Sequence, residues 1–407
     1  MPGFGLLGEK LGHSYSPLIH SCLGDYEYRL YEKAPGEVAD FLLNGDFDGL
    51  NVTVPYKKTV IPFCTELSER AKSIGSVNTV VRRNGGLYGD NTDYCGFLYM
   101  IKKSGVDVCG KKAVVLGSGG ASLTVCAVLR DLHASQIAVI SRSGEDNYEN
   151  ISKHYDAHII VNTTPVGMFP RVGVSPVRLE GFKNCECVYD IIFNPARTEL
   201  LLDAERLGIK YENGLSMLVV QAKAAAEVFL GKEIDDGENE KILRKMQGVT
   251  ENIVLVGMPG CGKSTVGKAL AKELGRELAD IDGEIVKKAG MTIPEIFEKY
   301  GEDTFRKLET EAVGEAGKRS SLVIATGGGC VTRAENYPLL HQNGLIVWLK
   351  RDISELPTDG RPLSRQGRLL QMYEQRKPLY EKFADITVSS EASPEKTAKK
   401  ILEVTGL

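Results

Sequence analysis

Eight residues in the second half of the chain, Gly257-Met258-Pro259-Gly260-Cys261-Gly262-Lys263-Ser264, have the types and spacing G-x-x-x-x-G-K-[ST] of a loop that cradles nucleotide phosphates. Glycines let backbone N–H groups close on phosphate oxygens, a lysine reaches the terminal phosphates, and the Ser264 hydroxyl can ligate magnesium. Such a loop must join a strand to a helix N-terminus. The apolar run Ile253-Val254-Leu255-Val256 reads as that strand, and 265–274 carries apolar residues at helical spacing. Gly260, Cys261, Gly262, Lys263, Ser264 and Thr265 are the expected phosphate contacts.

Further along, Ala279-Asp280-Ile281-Asp282 ends an expected strand with two acids at i and i+2, which on a regular strand share one face. Arg306 falls in a helical stretch. An apolar strand at 323–326 ends in Gly327-Gly328-Gly329, where backbone can approach a ligand closely. Asp359-Gly360-Arg361-Pro362-Leu363 sits in a polar loop, and Gln375-Arg376-Lys377-Pro378-Leu379-Tyr380 closes a helical run.

The first half carries a second series. His13-Ser14-Tyr15-Ser16-Pro17 places hydroxyls before a helix, where N-capping is the simplest role. Asn51-Val52-Thr53-Val54-Pro55-Tyr56-Lys57 delivers a lysine past a strand. Ser76-Val77-Asn78-Thr79 and Gly89-Asp90-Asn91-Thr92-Asp93 put amides, hydroxyls and a carboxylate at strand ends, and Asp93 can also cap the helix that follows. Gly117-Ser118-Gly119-Gly120-Ala121-Ser122 follows a strand and opens a helix like a dinucleotide turn, with Ser122 where a third glycine belongs. The next strand, 136–140, ends in Ser141-Arg142-Ser143 with no acid at its tip. Arg142 can pair with a 2′-phosphate, which favours NADP over NAD, while Glu145 and Asp146 keep the choice open.

These residues need elements to position them. Short strands at 4–7, 27–31 and 49–54, separated by helical patterns starting near Ser16 and Pro35, give α/β alternation. At 407 residues the chain suggests two domains or three. The stretch 231–250, with Asp235-Asp236-Gly237 and Gly248, is charged and poor in apolar residues and is the expected junction. A net charge of −4 with no basic excess in either part argues against a nucleic-acid binder. The absence of a signal-peptide pattern or a run of membrane-spanning length makes the cytoplasm the expected compartment, with no membrane partner. Nine cysteines without CxxC spacing are expected to be reduced thiols, not a zinc site.

In order, the motifs of the first half, together with Asn162-Thr163-Thr164-Pro165 and Met217-Leu218-Val219-Val220-Gln221-Ala222, resemble shikimate dehydrogenase over residues 1 to about 245. The resemblance implies a substrate domain (about 1–100 and 215–247) and a Rossmann domain (about 101–214) that binds NADPH/NADP+ at Gly117, Ser118, Gly119, Gly120, Ala121 and Arg142. It implies reduction of 3-dehydroshikimate, with Lys57 and Asp93 as the catalytic pair and Ser14, Ser16, Thr53, Asn78 and Gln221 holding the substrate. It departs from the family at Phe193, where a tyrosine is often found, and in a short segment after Arg142 that lacks a second basic residue.

The second half is similar to shikimate kinase over 250–407, which implies a five-stranded parallel sheet and a mobile lid. ATP with Mg2+ would be held by Lys263, Ser264 and Asp280. Asp282 would orient the shikimate 3-hydroxyl, Arg306, Arg376, Gly328 and Gly329 would bind shikimate, and Arg361 would come from the lid. The lid looks short, and Leu356-Pro357-Thr358 stands where an adenine-side arginine is placed in the family. The expected whole is a fused bifunctional enzyme divided at 247/248. Its rivals are a kinase joined to an inert binding module, a dehydrogenase preferring quinate or NAD, and a generic nucleoside or sugar kinase. Oligomeric state is not expected to be legible.

Overall fold

The computed structural model describes residues 3–12, 14–356 and 366–406, with 366–368 described by backbone alone. Chain contacts divide it into two units, Met1–Phe193 with Thr198–Met246, and Asn194–Arg197 with Gln247–Leu407.

The first unit holds two sheets. β1 (Gly3–Gly8), β2 (Glu27–Glu32), β3 (Gly49–Val52), β4 (Glu66–Leu67), β5 (Thr79–Arg83) and β6 (Gly86–Asp90) form a mixed six-stranded sheet in the order β2-β1-β3-β5-β6-β4. β1 runs parallel to β2 and β3, whereas β5 is antiparallel to β3 and β6. Because β3 stops at Val52, Thr53 to Lys57 lie in turns beyond its C-terminal end.

The second sheet is all parallel: β7 (Lys112–Leu116), β8 (Gln136–Ile140), β9 (Ile159–Asn162), β10 (Cys187–Asp190) and β11 (Lys210–Asn213), in the order β11-β10-β9-β7-β8. β9 and β10 are buried at every position and β7 at all but its first, as a parallel sheet covered on both faces requires. The order reverses between β7 and β9, which opens a crevice at their C-terminal ends.

Helix Asp93–Ser104 packs on helix Leu215–Leu230 and links the two sheets. Their approach is so close that a Cβ on Gly96 would lie 2.5 Å from the Met217 carbonyl oxygen. Within the expected junction, 231–250, lies a helix, Gly237–Thr250, and the two units divide inside it, between Met246 and Gln247. Three of its four large apolar residues, Ile242, Leu243 and Met246, are buried and pack with Ile19, Leu23, Leu215 and Val219. Counting composition missed this because three residues at helical spacing suffice to dock a charged helix.

The second unit is a parallel five-stranded sheet of β12 (Asn252–Val256), β13 (Glu277–Asp280), β14 (Leu322–Ala325), β15 (Gly344–Lys350) and β16 (Ile386–Ser389), in the order β13-β14-β12-β15-β16. Central β12 and neighbouring β14 are buried along their whole length. Among the described residues no helix is long and apolar enough to cross a membrane.

Candidate active sites

In the first unit, Lys57 and Asp93 meet. Lys57 lies beyond β3 in a turn pinned by the Val77 N–H, which donates to the Lys57 carbonyl at 2.8 Å. Its ammonium donates to Asp93 Oδ2 at 2.5 Å, with the two side chains 18% and 9% exposed. Asp93 opens helix Asp93–Ser104, where the positive end of the helix dipole favours a carboxylate. Asn78 Nδ2 donates to Asp93 Oδ1 at 2.9 Å and lies 3.5 Å from Gln221 Oε1 on helix Leu215–Leu230. Four expected residues from four segments therefore converge.

Ser14 and Ser16 follow β1 and Thr53 follows β3, at the same end of the sheet. No hydrogen bond among the described residues joins the side chains of Ser14 or Thr53 to the cluster around Asp93. Ser16 is buried and meets the Tyr28 hydroxyl. His13, next to them in sequence, lies outside the described residues. Phe193 sits edge-on to Tyr15, ring centroids 5.9 Å apart, so its side chain makes an aromatic contact.

The glycine turn stands beside this cluster. A Cβ on Gly120 would lie 3.8 Å from Lys57 Cδ. Gly117 needs its glycine, because its φ is +105° and a Cβ would come within 2.8 Å of Thr163 Oγ1. Around Gly119 there is open space, and helix Gly120–Asp131 starts there with unpaired backbone N–H groups. This chemistry fits a dinucleotide's pyrophosphate. Ser122 is buried, so the third position of the turn accepts a serine in the packed interior. Arg142 is exposed beyond β8, near the Tyr148 hydroxyl. Asp190, at the end of β10, accepts from Asn162 Nδ2 at 3.0 Å, the Ile192 N–H at 3.0 Å and Thr198 Oγ1 at 2.7 Å, and burial pushes its carboxyl up to about 6.

In the second unit, Gly257, Gly260 and Gly262 have φ values of +150°, +84° and +98°, backbone that a side chain would strain. Helix Lys263–Leu274 starts directly after Gly262, and Ser264 and Thr265 are exposed in its first turn. Lys263 is buried and folds back over the loop, donating to the carbonyls of Gly257 at 2.8 Å and Met258 at 3.0 Å. The loop fits a nucleotide phosphate: oriented N–H groups, a helix start and an ammonium held, among the described residues, by neutral partners.

The two acids do not share a strand face as expected. β13 ends at Asp280, which caps helix Ile281–Ala289 by accepting from the Gly283 N–H at 3.3 Å, so Asp282 belongs to the helix's first turn. The rotation per residue there is helical, and the two carboxylates take different directions.

Beside the loop is a cavity of about 450 Å³ whose polar lining includes Asp282, Arg306, Glu309, Gly328, Gly329 and Arg376. Ile293, Phe297, Phe305 and Met372 form its apolar wall. Arg376 Nη1 donates to the Gly328 carbonyl at 3.0 Å, and the Tyr380 hydroxyl to the same oxygen at 2.6 Å. Arg306 Nη1 donates to Glu309 Oε2 at 2.7 Å. Glu309, fully buried, is a cavity residue that sequence reasoning missed. Its position three residues after Arg306 on helix Ile293–Gly317 was the available signal. Burial raises its pKa, the Asp282 charge adds to that, and Arg306 opposes it. Two guanidiniums beside the carboxylates of Asp282, Glu302 and Glu309 in one concave site suit a small hydroxylated carboxylate. Arg361 lies outside the described residues, as do 357–365 generally.

Two family models match the chain, "Shikimate dehydrogenase substrate binding domain" over residues 6–80 and "Shikimate kinase" over 259–405. A shikimate dehydrogenase (NADP(+)) of Caldanaerobacter subterraneus subsp. tengcongensis is 38% identical over 274 residues, covering 60% of this chain and 97% of its own. Crystal structures give the same picture. Shikimate dehydrogenase 1 from Peptoclostridium difficile matches with a TM-score of 0.57 at 37% identity, over 60% of this chain and 98% of that one. Shikimate 5-dehydrogenase from Thermus thermophilus, in complex with NADP(H) and shikimate, matches with a TM-score of 0.55 at 29% identity, over 60% and 99%.

Proposed function

The chain belongs to the shikimate dehydrogenase family and carries a shikimate kinase domain, and from that premise we propose that it is a bifunctional enzyme of consecutive steps. The dehydrogenase part, 1–247, reduces 3-dehydroshikimate to shikimate with NADPH, and the kinase part, 248–407, phosphorylates shikimate at its 3-hydroxyl with ATP and magnesium. The observation that carries the reading is the Lys57–Asp93 pair standing beside the glycine turn.

When bound, NADPH supplies the hydride, and ATP with magnesium the phosphoryl group. Lys57 holds a proton at the 3-keto oxygen as charge grows there, and Asp93 fixes the ammonium in place. Asn78, Gln221, Ser14, Ser16 and Thr53 hold the ring hydroxyls and carboxylate. In the kinase part Arg306 and Arg376 bind the carboxylate, supported by the N–H groups of Gly328 and Gly329, while Asp282 orients the 3-hydroxyl. Lys263 holds phosphate oxygens, Ser264 and Asp280 serve the metal, and Arg361 answers charge on the transferring group by resemblance.

The test is a coupled assay on the full chain with 3-dehydroshikimate, NADPH, ATP and magnesium. ADP should form only as NADPH is consumed, and in equal amount. Lys57→Ala should abolish NADPH consumption, roughly 10²-fold or more, and leave ADP release from added shikimate intact. Lys263→Ala should do the reverse. If NADPH stays untouched while added shikimate still drives ADP release, the first unit is a binding module or uses another substrate or cofactor.

A further inference from the structure

Asn78 is useful to the site only if its amide points one way. Its Nδ2 must face the Asp93 carboxylate, which can accept but not donate, and the geometry on the other side says how this is enforced. Asn78 Oδ1 accepts from the Thr92 backbone N–H at 2.6 Å, and a backbone N–H can only donate. The amide is thus held between an obligate donor and an obligate acceptor, 2.6 Å and 2.9 Å away.

Two hydroxyls complete the arrangement. Thr79 Oγ1 donates to Asn78 Oδ1 at 3.1 Å, and Thr92 Oγ1 lies 3.2 Å from the same oxygen. The two hydroxyls are 3.0 Å from each other. Both threonines are fully buried, so no water competes for these bonds. Thr79 begins β5 directly opposite Asn51 of β3, which puts both side chains on one face, and Asn51 Nδ2 approaches Thr79 Oγ1 at 3.5 Å. Asn51 Oδ1 in turn accepts from the Tyr28 hydroxyl at 2.8 Å, which also meets Ser16. A buried polar chain therefore runs behind the cluster from Ser16 to Asp93.

We propose that Thr79 is a positioning residue of the dehydrogenase site: its hydroxyl helps lock the Asn78 amide so that Nδ2 presents one hydrogen to Asp93 and the other to Gln221 Oε1. Thr79 is fully buried and acts through Asn78. Without its hydroxyl, the Asn78 oxygen keeps the N–H and hydroxyl of Thr92 but loses its third donor, the one that holds the amide plane from the β5 side. Asn78 then samples orientations in which Asp93 and Lys57 are less well aligned.

The inference rests on the dehydrogenase reading, and the experiment separates the two. Full-length protein is assayed for shikimate oxidation with NADP+, with ADP release from shikimate as the control on the same chain. Absence of NADP+ reduction by the wild type would overturn the functional reading itself. Given an active wild type, Thr79→Val should lower kcat/KM for shikimate about tenfold, the loss expected for one buried hydrogen bond that matters in the transition state. KM for NADP+ should stay within twofold, and Thr79→Ser, which keeps the hydroxyl, should restore kcat/KM to within threefold of wild type. In an Asn78→Ala background, Thr79→Val should cost less than a further twofold, because the group it positions is gone. If Thr79→Val does not fold, Thr79→Ala against Thr79→Ser reads the same hydroxyl. The proposal is overturned if Thr79→Val stays within twofold of wild type, if Thr79→Ser falls as far as Thr79→Val, or if the Thr79→Val loss persists in full on Asn78→Ala.

Discussion

Two lysines sit in opposite electrostatic settings, and the difference matches what each is asked to do. Lys57 is paired with a carboxylate at 2.5 Å, which fixes its direction, while Lys263 contacts carbonyl oxygens that leave its charge available to an anion. Arg306 is a third case, because it lies against the fully buried Glu309. Arg306→Ala should therefore do more than weaken shikimate binding. It strands a buried carboxylate, so denaturant unfolding should show the second unit destabilised by about 3–5 kcal/mol, with Arg306→Lys costing less. Asp190 gives a pH signature. Its folded pKa of about 6 lies above the ordinary carboxylate value, so the native state binds the proton more tightly and this group's contribution falls as pH rises. The window runs from about 4 to about 6, and the loss is at most about 3 kcal/mol. Asp190→Asn lacks that titration, so its stability relative to wild type should improve across the same window and stay level above it, as melts at stepped pH would show.

At the scale of elements, the dehydrogenase site depends on a helix pair. Asp93 opens helix Asp93–Ser104, Gln221 projects from helix Leu215–Leu230, and the two helices touch through Gly96 and the Met217 backbone. A methyl at Gly96 would meet a carbonyl oxygen at 2.5 Å, and backbone cannot swing aside as a long side chain can. Gly96→Ala should cost about 1–3 kcal/mol from overpacking and should lower dehydrogenase turnover by separating Asp93 from Gln221, with ADP release from shikimate unchanged. Equal turnover in a well-folded Gly96→Ala protein would mean that the helix spacing does not set the site. Helix Gly237–Thr250 shows the same economy, since three buried apolar residues dock a largely polar segment.

At the scale of the whole molecule, each unit has its own sheets and its own buried clusters. Thermal unfolding should accordingly show two steps, with NADP+ raising one and ADP with magnesium raising the other, each by about 2.7 kcal/mol at a hundred times its Kd. One step raised by both ligands would contradict independent units. The sequence by itself determined the α/β class, the phosphate loop and the glycine turn, because those depend on residue type and local spacing along the chain, while Lys57, Asp93, Asn78, Gln221, Arg306 and Arg376 stand out in it through the ordered resemblance to two families. It misplaced what depends on where a local element stops. The i, i+2 spacing of Asp280 and Asp282 suggests one strand face, but the strand ends between them. Only the tertiary structure decided that residues 57, 78, 93 and 221 share one hydrogen-bonded cluster, that Glu309 shares a cavity with Asp282, and that Thr79 stands behind Asn78. Those contacts join segments far apart in sequence or depend on which buried donor meets which acceptor, and chain spacing carries no record of either.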